Sequence, residues 1–198
     1  MRLFYSSTSP YARMVHIALR EKGVAFELVA ADPWADDAAL REINPATRVP
    51  ALMLDDGSAL TESSVILAWL DRQYPQPGLV GDTRAMERAG LAIGVIDAAV
   101  HTIISRRVTA PAPFDDTPIG LRRRRTMVES MQRLEQLVRR DAPAAAAQPT
   151  LDVIASVVAQ DYLQLRFADA PWRVATPALD AWLAEVRRRP AFADTVPR

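Results

Sequence analysis

Apolar positions fall in short bursts over the first 74 residues, and from about position 86 onward they form stripes at helical spacing. Residues 3–5 read as a short buried strand, 10–22 as a helix closed by Gly23, and 26–30 as a second strand. That is a βαβ unit. Asp32-Pro33-Trp34 opens a loop. Residues 51–54 and 59–60 flank Asp55-Asp56-Gly57-Ser58 as a hairpin, and Val65, Ile66, Trp69 and Leu70 impose helical periodicity on 63–73. Two prolines in Tyr74-Pro75-Gln76-Pro77-Gly78 forbid continuation of either regular structure and mark a linker. Beyond it, 86–106, 121–139, 151–166 and 177–188 carry helical stripes separated by 111–118, 142–149 and 169–172. The alanine-rich 142–149, with its two prolines, reads as a loop. The pattern predicts an α+β domain over 1–74, a linker over 75–82 and an all-helical domain over 83–198.

Composition narrows the chemistry. The 198 residues are 49% apolar, enough for a sizeable core. Basic and acidic residues balance at 24 each, so there is no net field to draw in nucleic acid or an anionic membrane. All the basic residues except Lys22 are arginine. No cysteine is present, which excludes a disulfide framework, a thiolate metal site and a redox nucleophile supplied by the chain. The N-terminus lacks a signal-like apolar run and no stretch approaches the ~20 apolar residues of a membrane span. A soluble cytoplasmic protein without a bound metal is expected.

Three patches in the first 65 residues could carry chemistry. Ser9-Pro10 is a good N-cap and N1 pair, which by itself requires no function. The same hydroxyl also opens the helix that follows the first strand, at the carboxyl edge of the sheet where α/β ligand sites collect. Val49-Pro50 precedes the apolar run 51–54 and reads, on residues alone, as an edge-strand proline. Glu62-Ser63 starts a helix whose free amides and dipole attract an anion. Arg13 lies one turn into the first helix, where it could add positive potential or simply face solvent.

The order Ser7-Thr8-Ser9-Pro10-Tyr11-Ala12-Arg13, Arg48-Val49-Pro50-Ala51-Leu52, Thr61-Glu62-Ser63-Ser64 resembles the thioredoxin-like half of the cytosolic glutathione transferases. It resembles in particular the bacterial members with serine where others have cysteine or tyrosine. The resemblance extends through residues 161–192, close to the whole chain. It implies a thioredoxin-like domain followed by an all-α domain, glutathione as co-substrate, and a homodimer. Ser9 would donate a hydrogen bond to the glutathione sulfur, with Ser6, Ser7 or Thr8 in its place if the register shifts. Pro50 would be cis, and the main chain of Val49 would pair with the cysteinyl backbone of the tripeptide. Ser63 would hold the γ-glutamyl carboxylate and Glu62 its ammonium. Arg48 and the loop around Trp34 are candidates for the glycyl end.

The resemblance further implies that the helical half forms the floor of an electrophile site through the helix containing residues 94–101, with Tyr11 and Trp34 as neighbours. Asp97 is either an interface acid or one that reaches glutathione, also across a dimer. His101, on the same face, is either a proton donor to a leaving group or a structural histidine. Arg122 to Arg125, without interleaved aromatics, read as a solvated face. Thr150-Leu151-Asp152-Val153-Ile154-Ala155 resembles a buried capping box whose acid sits one residue early, so Asp152 is expected to act only through the helix dipole. The expected function is glutathione transfer to small hydrophobic electrophiles. The alternatives are a non-catalytic carrier of glutathione or hydrophobic ligands, and a glutathione-dependent isomerase or dehalogenase.

Overall fold

The computed structural model describes residues 1–141 and 149–197. The expected loop over 142–149 therefore lies, Pro149 excepted, outside the described residues. Strands and helices follow one another as β1 (Arg2–Tyr5), α1 (Pro10–Glu21), β2 (Glu27–Ala30), α2 (Ala38–Ile43), β3 (Ala51–Met53), β4 (Ala59–Thr61) and α3 (Ser63–Gln73). Then come α4 (Thr83–Thr109), α5 (Pro118–Asp141), α6 (Leu151–Phe167), α7 (Pro177–Leu183), a 3-10 turn (Val186–Arg188) and α8 (Pro190–Ala193). The chain divides into two compact units, Met1–Val80 together with the segment from Arg189 onward, and Gly81–Arg188.

In the first unit the sheet order is β2-β1-β3-β4. β1 pairs parallel with β2 and antiparallel with β3, and β3 pairs antiparallel with β4. Leu3 and Phe4, adjacent on β1, are both buried, as expected for a strand covered on both faces. α1 buries Ala12, Met14, Val15, Ile17, Ala18 and Leu19 and packs on α3, which contributes Ile66, Leu67 and Leu70. Gly23, with φ +63°, ends α1 in the left-handed conformation that glycine adopts without steric penalty. Lys22, the only lysine, has a fully buried side chain whose Nζ donates to Asp71 Oδ1 (3.1 Å) and to the carbonyls of Tyr74 and Pro77 (2.6 Å each). One ammonium thereby ties the proline-rich segment to the ends of α1 and α3.

Two features of the sheet unit depart from the sequence expectation. The stretch after Asp32-Pro33-Trp34 contains α2, whose start is held by Asp37 Oδ1 accepting from the Ala39 (2.9 Å) and Leu40 (3.4 Å) amides. Its six residues offer only Leu40 and Ile43 as large apolar positions, too few for a periodicity to show. Leu40 joins Phe4, Ala12, Val49 and Ala51 in one buried cluster. The second departure concerns the C-terminus, expected to belong to the helical half. From Arg189 onward it packs with the sheet unit, because α1 presents it with a row of partners. Arg13 donates to Thr195 Oγ1 (3.3 Å) and Phe192 O (3.4 Å), Arg20 pairs with Asp194 (2.6 Å), and Glu21 pairs with Arg189 (2.5 Å). Arg13 is thus only 6% exposed, a buried anchor in place of a solvent-facing charge.

In the second unit α4 packs on both α5 and α6, and α7 packs on α5. α6 is apolar on nearly every face and correspondingly buried from Asp152 to Leu163 except at Asp161, as a central helix must be. α4 alone is long and apolar enough, among the described residues, to cross a membrane, which the sequence reading did not expect of any stretch. Ala85, Ala89, Ala92, Val95, Ile96, Ala98 and Ala99 are buried, as in the core helix of a globular unit. Asp152 acts differently from a distant dipole partner. At 1% exposed it accepts Arg88 Nε–H (2.7 Å) and the Thr150 hydroxyl (2.5 Å), and Arg88, 3% exposed, also lies 5.4 Å over the Trp182 ring. The early position of the acid aims it at α4 instead of at its own helix amides. Thr150 accordingly makes no cap hydrogen bond.

Candidate functional site

The register of the sheet brings the first-unit candidates together. Phe4 of β1 lies opposite Ala51 of β3, and Ala51 lies opposite Thr61 of β4. The carboxyl end of β1, the amino end of β3 and the carboxyl end of β4 therefore share one edge. Ser9 follows β1 by one short loop, Arg48-Val49-Pro50 immediately precedes β3, and Glu62-Ser63 immediately follows β4. Since β2 runs parallel to β1, the loop carrying Trp34 leaves from the same edge. The ion pair between Arg48 and Glu62 bridges two of these patches directly.

Ser9 is the N-cap of α1 (φ −78°, ψ 116°), and its Oγ accepts the Ala12 amide at 3.2 Å. A hydroxyl has one proton and two acceptor positions. With the cap using an acceptor position, the proton stays available to an anion, and among the described residues no acceptor takes it. Ser6, Ser7 and Thr8 occupy the turn before it, where the Ser9 amide donates to Ser6 O at 3.0 Å. Only Ser9 holds the cap position. Tyr11 sits in the first turn of α1, half-buried, and Trp34 is 46% exposed, its amide donating to Asp32 Oδ1 at 2.9 Å.

The Val49–Pro50 peptide bond is cis. Val49 and Pro50 are buried, and the Val49 amide and carbonyl take no partner among the described residues. Buried main-chain groups normally do. The loop leading to them is organised by Asn44, which the sequence reading passed over. Its side chain, 5% exposed, donates to Arg48 O (2.8 Å) and accepts the Ala46 amide (3.1 Å), while its carbonyl accepts the Thr47 amide (2.7 Å). The Asn44-Pro45 dipeptide, a turn former, was the available signal.

Glu62 adopts φ +66°, a conformation that a non-glycine residue holds only when its surroundings over-determine it. It is the N-cap of α3 but makes no side-chain cap bond, since its carboxylate is turned to Arg48. The first-turn amides of α3, starting at Ser63, therefore lack a capping carboxylate among the described residues. Such a terminus binds an external anion well.

Asp97 and His101 lie on α4, in the other unit, one turn apart and both exposed. His101 Nδ1 is 2.7 Å from Asp97 O; a carbonyl only accepts, so Nδ1 is the donor of this contact. Of Arg122 to Arg125, the first and last are exposed and the middle two half-buried.

The titration of one residue on α1 is strongly displaced. His16 is held between Tyr5 (6.3 Å) and Phe26 (5.4 Å), both edge-on. Burial, reinforced by Arg20 and Arg13, lowers its pKa to about 4. It is neutral at physiological pH and packs against the half-buried rings of Tyr5 and Phe26.

Comparison with known proteins agrees with this architecture. Residues 3–78 match the family described as Glutathione S-transferase, N-terminal domain. Over its whole length the chain is 28% identical to 98% of the uncharacterized GST-like protein YibF of Escherichia coli. A glutathione S-transferase of Methylobacterium radiotolerans, solved with glutathione sulfonate, superposes with a TM-score of 0.85 at 33% identity, covering 99% of this chain and 94% of its own. The glutathione S-transferase of Methylobacillus flagellatus, solved with glutathione bound, also gives 0.85, at 28% identity, covering 100% of this chain and 99% of its own. The sheet unit is thus thioredoxin-like and the second unit is the family's helical domain. With these likenesses spanning both units, the chain belongs to the glutathione S-transferase family.

Proposed function

We propose that this protein is a glutathione transferase that activates the glutathione thiol through the Ser9 hydroxyl. The observation that carries the reading is the Ser9 cap: its oxygen is fixed by Ala12 N–H, and no acceptor among the described residues takes its proton at the edge where Val49 and Glu62-Ser63 converge. The unpaired Val49 main chain suits an extended peptide, whose backbone would pair with it as an added strand does. The open amides of α3 and the Ser63 hydroxyl suit the γ-glutamyl carboxylate, with Glu62 on the ammonium and Arg48 with the Trp34 loop toward the glycyl end.

A free thiol of pKa about 8.5 is only about 3% ionised at pH 7, and lowering that value by two units requires roughly 2.7 kcal/mol. A hydrogen bond to a charged acceptor contributes about 1.5–3 kcal/mol and the α1 N-terminus up to about 1. The two together suffice. The bound thiol then releases its proton to solvent, sulfur forms a bond to the electrophilic carbon, and the leaving group departs with the electron pair. Lacking cysteine, the chain cannot form a mixed disulfide of its own, which sets it apart from glutathione-dependent disulfide reduction through a protein thiol. Tyr11 and Trp34, and on α4 Asp97 and His101, are the proposed contributors to electrophile binding or to a partner subunit. The exposed Val65 and Met86 are apolar surface of the kind a second copy would cover in a cytoplasmic homodimer, which sedimentation at micromolar concentration would detect.

The test is turnover of 1-chloro-2,4-dinitrobenzene with glutathione. Ser9→Ala should lower kcat/KM by roughly 10- to 100-fold and move the pH–rate profile upward, the range expected from one lost charged hydrogen bond. Ser9→Thr should recover much of it. Full activity in Ser9→Ala would remove the assignment, and glutathione binding without any turnover would make the site a carrier.

A further inference from the structure

The unit Gly81–Arg188 carries a half-open pocket of about 550 Å³, within the ~300–1,000 Å³ of small-molecule sites. All of its lining residues belong to that unit. One wall is apolar, made by Met127 and Met131 of α5, Leu163 of α6 and Trp172, whose ring is steadied 5.3 Å from that of Phe167. The lining also includes a connected polar network. Gln160, buried on α6, donates to Thr176 Oγ1 (3.1 Å) and Asp180 Oδ1 (2.7 Å) and accepts from Arg187 (2.7 Å), which in turn pairs with Asp161. This network is built before any ligand arrives, and the charges of Arg187 and Asp161 cancel.

Two lining charges have no counter-charge within salt-bridge distance among the described residues. The Arg173 guanidinium donates to the neutral Gln164 Oε1 at 2.5 Å. The Asp180 carboxylate accepts from the neutral Gln160 and Thr176 through one oxygen. A guanidinium fork matches a carboxylate, and the second Asp180 oxygen can accept from an ammonium. We propose that this cavity is a second ligand site, for a small zwitterion with an apolar body, of the size of an aromatic amino acid or dipeptide. Its acid meets Arg173, its ammonium meets Asp180, and its apolar part lies on Met127, Met131, Leu163 and Trp172. The site is separate from the glutathione site and does not depend on it.

The full chain is titrated with L-tryptophan, glycyl-tryptophan, indole-3-propionate and tryptamine by calorimetry and ligand-observed NMR, with and without saturating glutathione. At least one zwitterion should bind one-to-one, more tightly than both single-charge probes, and glutathione should not displace it. Arg173→Gln should weaken the zwitterion and indole-3-propionate at least ten-fold and spare tryptamine, and Asp180→Asn should do the reverse. Asp180→Asn is isosteric, and Arg173→Gln shortens a partly exposed side chain while keeping an N–H donor, so folding is maintained. Ala175→Trp, at an exposed lining position, should abolish binding of all four while far-UV dichroism and the thermal unfolding midpoint stay unchanged. Absence of saturable binding by either zwitterion at millimolar concentration would overturn the proposal, as would affinity indifferent to both charge substitutions, or displacement by glutathione.

Discussion

Acidification should destabilise this protein through His16. Its folded-state pKa of about 4, against an ordinary 6.5, means the fold prefers the neutral ring. Stability from this residue is therefore complete above pH 6.5 and lost as the pH falls toward 4. The displacement of 2.5 units corresponds to about 3.4 kcal/mol once both states are protonated, and to about 2 kcal/mol at pH 5. The ring is only half-buried between Tyr5 and Phe26, so solvent screening reduces the figure at pH 5 to about 1 kcal/mol. The assay is denaturant unfolding at pH 7 and pH 5 for the wild type and for His16→Gln, which cannot protonate. The wild type should lose about 1 kcal/mol more than the variant over this interval. An imidazole pKa at or above 6 by NMR titration, or identical losses in both proteins, would refute the reasoning.

Other perturbations test the remaining joints of the structure. Glu135 on α5 accepts the first-turn amides of α7, Ala178 N (3.0 Å) and Leu179 N (2.9 Å), besides Arg139 (2.8 Å). Burial raises its pKa, yet these donors outweigh burial and hold it below the ordinary value, so Glu135→Ala should destabilise the helical unit by about 2–3 kcal/mol in thermal unfolding. Asp152→Ala should cost about 3–5 kcal/mol by leaving the Arg88 guanidinium buried and unpaired, whereas a joint Arg88→Met, Asp152→Leu replacement should cost much less. Asn44→Ala should loosen the loop before Val49, weakening glutathione binding measured by calorimetry by about ten-fold while the helical unit's unfolding is unchanged.

The sequence was sufficient for what depends on local chemistry. Proline and glycine punctuation, two periodicities and the Ser9, Val49-Pro50 and Glu62-Ser63 patches delimited the strands, the longer helices and the edge where they meet. Short elements escaped it: α2 has too few apolar residues for a stripe, and the expected helix 177–188 breaks into α7 and a 3-10 turn. Partnerships between distant positions escaped it as well. Whether Arg13 faces water, whether Asp152 serves its own helix or Arg88, and which unit receives the chain from Arg189 onward depend on what lies opposite, 179, 64 and 168 positions away in the respective hydrogen bonds. A buried charge goes wherever packing supplies its counter-charge, and that supply exists only once the helices are assembled. Residue type and spacing determined which groups could do chemistry; tertiary packing decided which were anchored and which were left facing the sheet edge or the cavity.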